Sequence, residues 1–230
     1  MKICVCGWYF NHEYMKQLEA VYRRYPSVVV SHRNRPVRLP HVYIPNVGLE
    51  WGAYDYYLKY IYDGKGKVFF THDDNEAEDL GVFDDIEKCD LDVGFVFRNE
   101  DEAEWAFHRH GRAVVMSERF LNFCKKEKFK LVTDDGDKYV QHGFWYDKGN
   151  LGYIGDDKKR NCNSGIEHFA AFLKFLEERP DNGFKFGVFC TDKLKLGFRG
   201  ERGIGELYSS IRSLKKSHLR WSDIPDRIRL

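Results

Sequence analysis

Three short runs in the first third of the chain, Ile3-Cys4-Val5-Cys6, Ser27-Val28-Val29-Val30-Ser31 and Lys67-Val68-Phe69-Phe70-Thr71, are apolar at consecutive positions rather than at alternate ones. A strand with one wet face alternates apolar and polar residues, so runs of this kind fit a sheet covered by helices on both faces. Between the first two, Asn11 can cap a helix reaching about Tyr25, which Pro26 ends. Between the second and third, Trp51, Tyr54, Leu58 and Ile61 recur at helical spacing until Gly64 and Gly66 close the pattern. Alternation of this kind predicts a mainly parallel sheet flanked by helices. The intervening segment 32–45, with three prolines and three arginines, reads as a connecting loop.

Leu91 to Phe97 is a fourth strand of the buried type. Asn99 and Glu102 then suggest a capping box for a helix running to His110, with short strand signals at 112–116 and 130–132. From Thr133 the texture changes: Lys138 to Tyr146 and Leu151 to Gly155 alternate like antiparallel strands. Asn163 or Ser164 can cap a helix reaching Glu178, Phe184 to Cys190 is a last strand, and Gly205 to Leu214 a late helix. The reading is an α/β fold with a mixed, β-rich C-terminal half, and one domain over 1–230.

With 37 Lys plus Arg against 36 Asp plus Glu, the net charge of +1 supplies no field that would draw the chain to nucleic acid. Eighteen Phe, 14 Tyr and 5 Trp provide a large core. No window reaches the roughly 18 apolar residues of a transmembrane span. The start MKICVCGWYF has one basic residue and no cleavage site, so a cytoplasmic protein with six reduced cysteines is expected.

The third strand runs straight into His72-Asp73-Asp74-Asn75-Glu76. In doubly wound sheets, ligands bind outside the carboxyl ends of strands. Carboxylates there, with an imidazole, offer hard oxygen ligands and one nitrogen to a divalent ion, and such an ion can offset charge on a departing diphosphate. Asp73 and Asn75 form an alternative ligand spacing. The competing reading is a solvated acidic loop. Asn46 and Gly48 read equally as turn residues, and Asn163 and Ser164 as a helix cap.

The stretch from Asn46-Val-Gly-Leu-Glu50-Trp-Gly-Ala-Tyr54 through Lys67-Val-Phe-Phe-Thr-His72-Asp73-Asp74-Asn75 resembles glycosyltransferases of the GT-A fold, and rhamnan-synthesis and related sugar-polymer enzymes. The resemblance implies a GT-A-like sheet, a nucleoside diphosphate sugar donor, a carbohydrate or glycan acceptor, and Mn²⁺ or Mg²⁺. It puts His72, Asp73 and Asp74 in the Asp-x-Asp metal slot, with His in place of the first Asp. It gives Glu50, Asp73 and Asp74 catalytic roles, and sets Asn46 and Gly48 in the turn approaching the donor. Cys6, Gly7 and Trp8 fall where the nucleotide base sits. Asn163 and Ser164, in Asn-Cys-Asn-Ser-Gly-Ile, are similar to a segment lining the sugar pocket of retaining enzymes. The implied division is a nucleotide-sugar half over 1–117 and an acceptor half over 118–230. The alternatives are a nucleotidyltransferase or metal-dependent phosphohydrolase using the same carboxylates, and a carbohydrate-binding protein without turnover.

Overall fold

The computed structural model describes residues 1–44, 49–99, 113–126 and 183–197. In chain order they form β1 (Lys2–Gly7), α1 (His12–Val21), β2 (Ser27–Ser31), β3 (His41–Tyr43) and α2 (Leu49–Tyr56), which continues as a π-helix over Tyr57–Ile61. Then come β4 (Val68–His72), β5 (Glu76–Ala77), α3 (Val82–Lys88), β6 (Val93–Phe97), β7 (Ala113–Met116), α4 (Glu118–Lys126), β8 (Phe186–Cys190) and β9 (Leu194–Lys195).

Seven strands make one sheet in the order β3-β2-β1-β4-β7-β6-β8, while β5 and β9 pair apart from it. The pairs β1 with β2, β1 with β4, β2 with β3 and β6 with β8 are parallel. Only β7 runs against its neighbours β4 and β6. The carboxyl ends of β1, β2, β4, β6 and β8 therefore lie along one side, as the alternating pattern predicts.

Helices cover both faces for a reason visible in β4. Phe70 packs against Tyr54 of α2 and Tyr57 of the π-turn, with ring centroids 4.9 and 5.9 Å away. The next residue points to the opposite face. There the Thr71 hydroxyl lies 3.0 Å from the Tyr14 hydroxyl of α1. Cys4, Val5, Val29, Val30, Val68 and Phe69 between these layers are fully or almost fully buried.

Several boundaries differ from expectation. The segment 32–45 is not all loop, because β3 forms there, pairing Val29 with His41 and Ser31 with Tyr43. A three-residue strand at the sheet edge tolerates flanking prolines, which is why its composition masked it. Helix α1 stops at Val21, followed by a turn closed by the Tyr25 amide on the Val21 carbonyl at 2.8 Å. Helix α4 was not foreseen; the Ser117 hydroxyl caps it by accepting from the Phe120 amide at 3.1 Å. The expected helix from the Asn99 cap through His110, the strands at 130–132, 138–146 and 151–155, the helix from 163 and the late helix lie, apart from Asn99 itself, outside the described residues. Cys4, Cys6, Cys89 and Cys124 are buried free thiols, Cys190 is an exposed one, and Cys162 is outside the described residues.

Asp92 ties the far half together. Buried at the foot of β6, it accepts from the Ser117 hydroxyl at 2.6 Å, the Lys185 amide at 2.8 Å and the Arg119 guanidinium. Burial alone would raise its pKa, but the bonds from Arg119, Ser117 and Lys185 outweigh burial and hold it below the usual carboxylate value. A lowered folded pKa contributes stability above the unfolded value of about 3.9, and that stability is lost as pH falls through the folded one. Arg119 is half exposed, which screens the pair. Asp92→Asn is therefore expected to cost about 2 kcal/mol at pH 7 and progressively less as pH falls below about 4, measured by urea unfolding across that range.

Candidate functional site

The site grows out of two adjacent parallel strands. Cys6 of β1 stands opposite His72 of β4, and the Asp73 amide donates to the Cys6 carbonyl at 3.1 Å. The loops that follow, Trp8-Tyr9-Phe10 and Asp73-Asp74-Asn75, therefore leave the sheet side by side.

Asp73 organises both loops. Its Oδ2 accepts the backbone N–H of Trp8 at 2.7 Å and that of Phe10. Phe10 has φ 58°, a left-handed conformation rare for a bulky side chain. That reversal turns successive amides inward into a concavity fitted to an anion, which here is the Asp73 carboxylate. Strain of order 1–3 kcal/mol is offset by these charge-assisted bonds. Burial pushes the Asp73 pKa up, while the His72 imidazole and the amides of Phe10, Trp8 and Tyr9 pull the other way without cancelling it.

Its second oxygen is different. Asp73 Oδ1 is buried without a hydrogen-bond partner, 3.4 Å from His72 Nδ1. The same imidazole nitrogen lies 2.8 Å from Asp74 Oδ1. Two carboxylate oxygens thus approach one point. Glu50, at the start of α2, belongs to the same field: after burial, its charge is the next largest influence raising the Cys6 thiol, followed by Asp73, Cys4 and Asp74.

The acidic turn lies at the strand end, as expected, but under a roof that was not. Asp73, Asp74 and Asn75 are 0%, 3% and 0% exposed. Asn75 is held by the Thr71 hydroxyl, which accepts from its amide at 2.9 Å, and its Oδ1 accepts the Gly197 N–H at 2.9 Å. Glu76 and Ala77 pair with Lys195 and Leu194, so 194–197 lies across the turn.

No protein-family model matches the chain, and no curated protein does. Among solved structures, HddC from Yersinia pseudotuberculosis is 13% identical over 93% of this chain and 99% of its own, at a TM-score of 0.38. The apo form of the glycosyltransferase GlyE from Streptococcus pneumoniae is 13% identical at a TM-score of 0.39, covering 98% of this chain and 62% of that one. The galactosyltransferase LgtC, in complex with donor and acceptor sugar analogues, is 11% identical over 96% of this chain and 99% of its own, at a TM-score of 0.37. Likeness at this level carries no inference about chemistry, which has to come from the residues themselves.

Among the described residues no three His, Cys, Asp or Glu side chains are arranged to hold a metal unaided. What they offer fits half a coordination shell. Mg²⁺ and similar hard ions commonly take one or two carboxylates and complete the shell with phosphate oxygens and water. The orphaned Asp73 Oδ1, with Asp74 Oδ1 facing the same nitrogen, is a donor set of that kind.

The other predicted residues divide. Cys6 is buried beneath the turn. Gly7 gives close approach between strands rather than room for a ligand, since a Cβ there would meet Val29 Cγ1 at 2.9 Å. Trp8, placed by the resemblance where the base sits, is half-buried, and its ring face carries the Arg33 guanidinium 4.0 Å from the centroid. Asn46, Gly48, Asn163 and Ser164 lie outside the described residues. Arg33 and Arg35 were missed; the signal was the arginine-rich loop directly after a buried strand.

A cavity of about 610 Å³ opens farther along the same side, at the ends of β6 and β8, lined in part by Arg98, Thr191 and Lys193. Of its cations, Lys193 pairs with Asp85 at 2.6 Å and Arg98 with Glu78 at 3.0 Å, and Lys88 lines it as well.

None of the described helices is long and apolar enough to cross a membrane.

Proposed function

We propose that the chain is a glycosyltransferase moving a sugar from a nucleoside diphosphate donor to a carbohydrate or glycan acceptor, assisted by Mn²⁺ or Mg²⁺. The observation that carries the reading is the meeting of Asp73 Oδ1 and Asp74 Oδ1 at one imidazole nitrogen, at the carboxyl end of β4 and beside the aromatic loop of β1. Asp73 and Asp74, with His72 between them, would supply part of the ion's shell and the diphosphate the rest, and the ion would supply Lewis-acid charge against the departing diphosphate. Asp73 would do two things at once, because one oxygen shapes the loop after β1 while the other is buried without a hydrogen-bond partner beside Asp74 and would reach an ion only if the 194–197 roof lifts.

Glu50 faces the sugar in this reading, with Cys6 beneath the site and Gly7 and Trp8 shaping its nucleotide edge. Asn46, Gly48, Asn163 and Ser164 join on the resemblance alone. The cavity beside β8 is the proposed acceptor side, where one half-buried ring, Phe189, and charged and polar side chains suit a hydroxyl-rich ligand.

The test is calorimetric titration with a panel of nucleoside diphosphate sugars, in Mn²⁺ and in EDTA, followed by detection of free nucleoside diphosphate with glycan acceptors. Binding of one donor, strengthened by Mn²⁺, with acceptor-dependent release is expected. Release of pyrophosphate from a nucleoside triphosphate and a sugar phosphate would instead establish the nucleotidyltransferase. Glycan binding without donor binding would sink the enzyme reading.

A further inference from the structure

Four of the described arginines meet carboxylates: Arg24 with Asp84, Arg38 with Glu19, Arg98 with Glu78 and Arg119 with Asp92. Arg23, Arg33 and Arg35 do not, and of these Arg33 and Arg35 lie on aromatic rings. The Arg33 guanidinium lies 4.0 Å above the Trp8 ring and that of Arg35 5.7 Å above the Phe10 ring, and among the described residues neither has an anionic partner.

Their positions are fixed from below. The His32 amide donates to the Gly7 carbonyl at 3.1 Å, the Arg33 amide to the Ser31 hydroxyl at 3.0 Å and the Arg35 amide to the Arg33 carbonyl at 3.0 Å. The Ser31 hydroxyl also reaches the Gly7 carbonyl at 3.3 Å. The loop after β2 is thus pinned to the end of β1. On the other strand, Asp73 pins the amides of Trp8 and Phe10, and so the backbone beneath both rings. A guanidinium lying on an aromatic face keeps its edge N–H groups free and loses little rotamer freedom on binding. Planar donors held in this way match phosphate oxygens bidentately.

We propose that Arg33 and Arg35 form a phosphate-binding pair at the carboxyl ends of β1 and β2. Resting on the donor reading above, this pair receives the diphosphate of the nucleotide sugar from the side opposite the carboxylates. The chemistry calls for such a partner: the buried acids repel a diphosphate, and a single divalent ion does not offset both. Cations on the other side of Trp8 supply the remaining charge.

The experiment is isothermal titration of the full chain with inorganic pyrophosphate, UDP, GDP, ADP and the matching nucleosides, each in EDTA and in Mn²⁺. Wild type is compared with Arg33→Ala/Arg35→Ala and with Arg38→Ala, which removes a charge from the same loop but belongs to an ion pair with Glu19. The double variant is expected to lose about 10- to 100-fold in affinity for pyrophosphate and for the bound diphosphate in EDTA, with nucleoside binding and the Arg38 variant unchanged. The glutamine pair Arg33→Gln/Arg35→Gln serves if the alanine pair fails to fold, judged by thermal unfolding. Equal affinity in wild type and double variant overturns the pair while leaving the donor reading intact. Arginine-dependent pyrophosphate binding without binding of any of the three nucleoside diphosphates keeps the pair and sinks the donor reading. No phosphate binding by wild type in either buffer overturns the pair.

Discussion

Asp74→Ala is expected to lower kcat/KM for sugar transfer by about 10³-fold or more while the protein still unfolds cooperatively near the wild-type temperature. Asp74 bonds through Oδ1 to a neighbouring imidazole at 2.8 Å, a link within a single turn. Removing it loosens His72 but leaves the Asn75 anchor in place, so the cost to folding stays near 1–2 kcal/mol. The cost to function is larger, because charge developing on a diphosphate is then met by one carboxylate-held ligand set fewer. Asp73 must be probed differently. Asp73→Ala strips the Trp8 and Phe10 amides of their acceptor and costs about 2–4 kcal/mol, which would confuse a binding defect with a folding one. Asp73→Asn keeps an acceptor for those amides and removes the charge, so it isolates function. His72→Asp fills the first Asp position of the Asp-x-Asp slot and is expected to preserve or strengthen Mn²⁺-dependent donor binding. If Asp74→Ala and Asp73→Asn both transfer sugar at wild-type rates, the turn is only a buried structural knot.

The strands that frame this site were legible because their evidence is local. A run such as Val28-Val29-Val30 cannot be solvated on either side, and that alone puts it inside a helix-covered sheet. The direction of β7 was not legible, since Ala113 to Met116 reads the same whichever way it runs. Nor was β3, three residues set among prolines where composition points to a loop. At the site, the acidic turn and its place at the end of β4 followed from the sequence. Its burial did not, because the covering contact joins Asn75 to Gly197 across 122 positions. Arginines in 32–45 announced exposure, but their stacking on Trp8 and Phe10 depends on which loops the parallel register brings together.

The largest stability effect is expected at Gly197. A methyl group there would run into the backbone carbonyl of Asp74 and its Cγ. Backbone cannot swing aside as a side-chain tip can, so 194–197 must lift away from the turn. Lifting breaks the Gly197 N–H bond to Asn75 and strains the Glu76–Lys195 and Ala77–Leu194 pairs. It also leaves Asn75 Oδ1 without its donor and admits water to the two carboxylates. Overpacking and an unsatisfied buried acceptor together point to about 3–5 kcal/mol for Gly197→Ala. Gly66 is the fitting comparison: its φ of +76° disfavours any side chain, yet nothing lies within 4 Å of an added Cβ. Gly66→Ala therefore meets conformational strain alone, about 1 kcal/mol. Urea unfolding separates the two, and amide exchange at residues 73–77 tells where the loss falls. If the roof opens by itself, Gly197→Ala speeds exchange in that turn while the amides of β1 and β4 keep their protection. Equal stability of the two alanine variants, with unchanged exchange at 73–77, would mean that 194–197 does not press on the acidic turn.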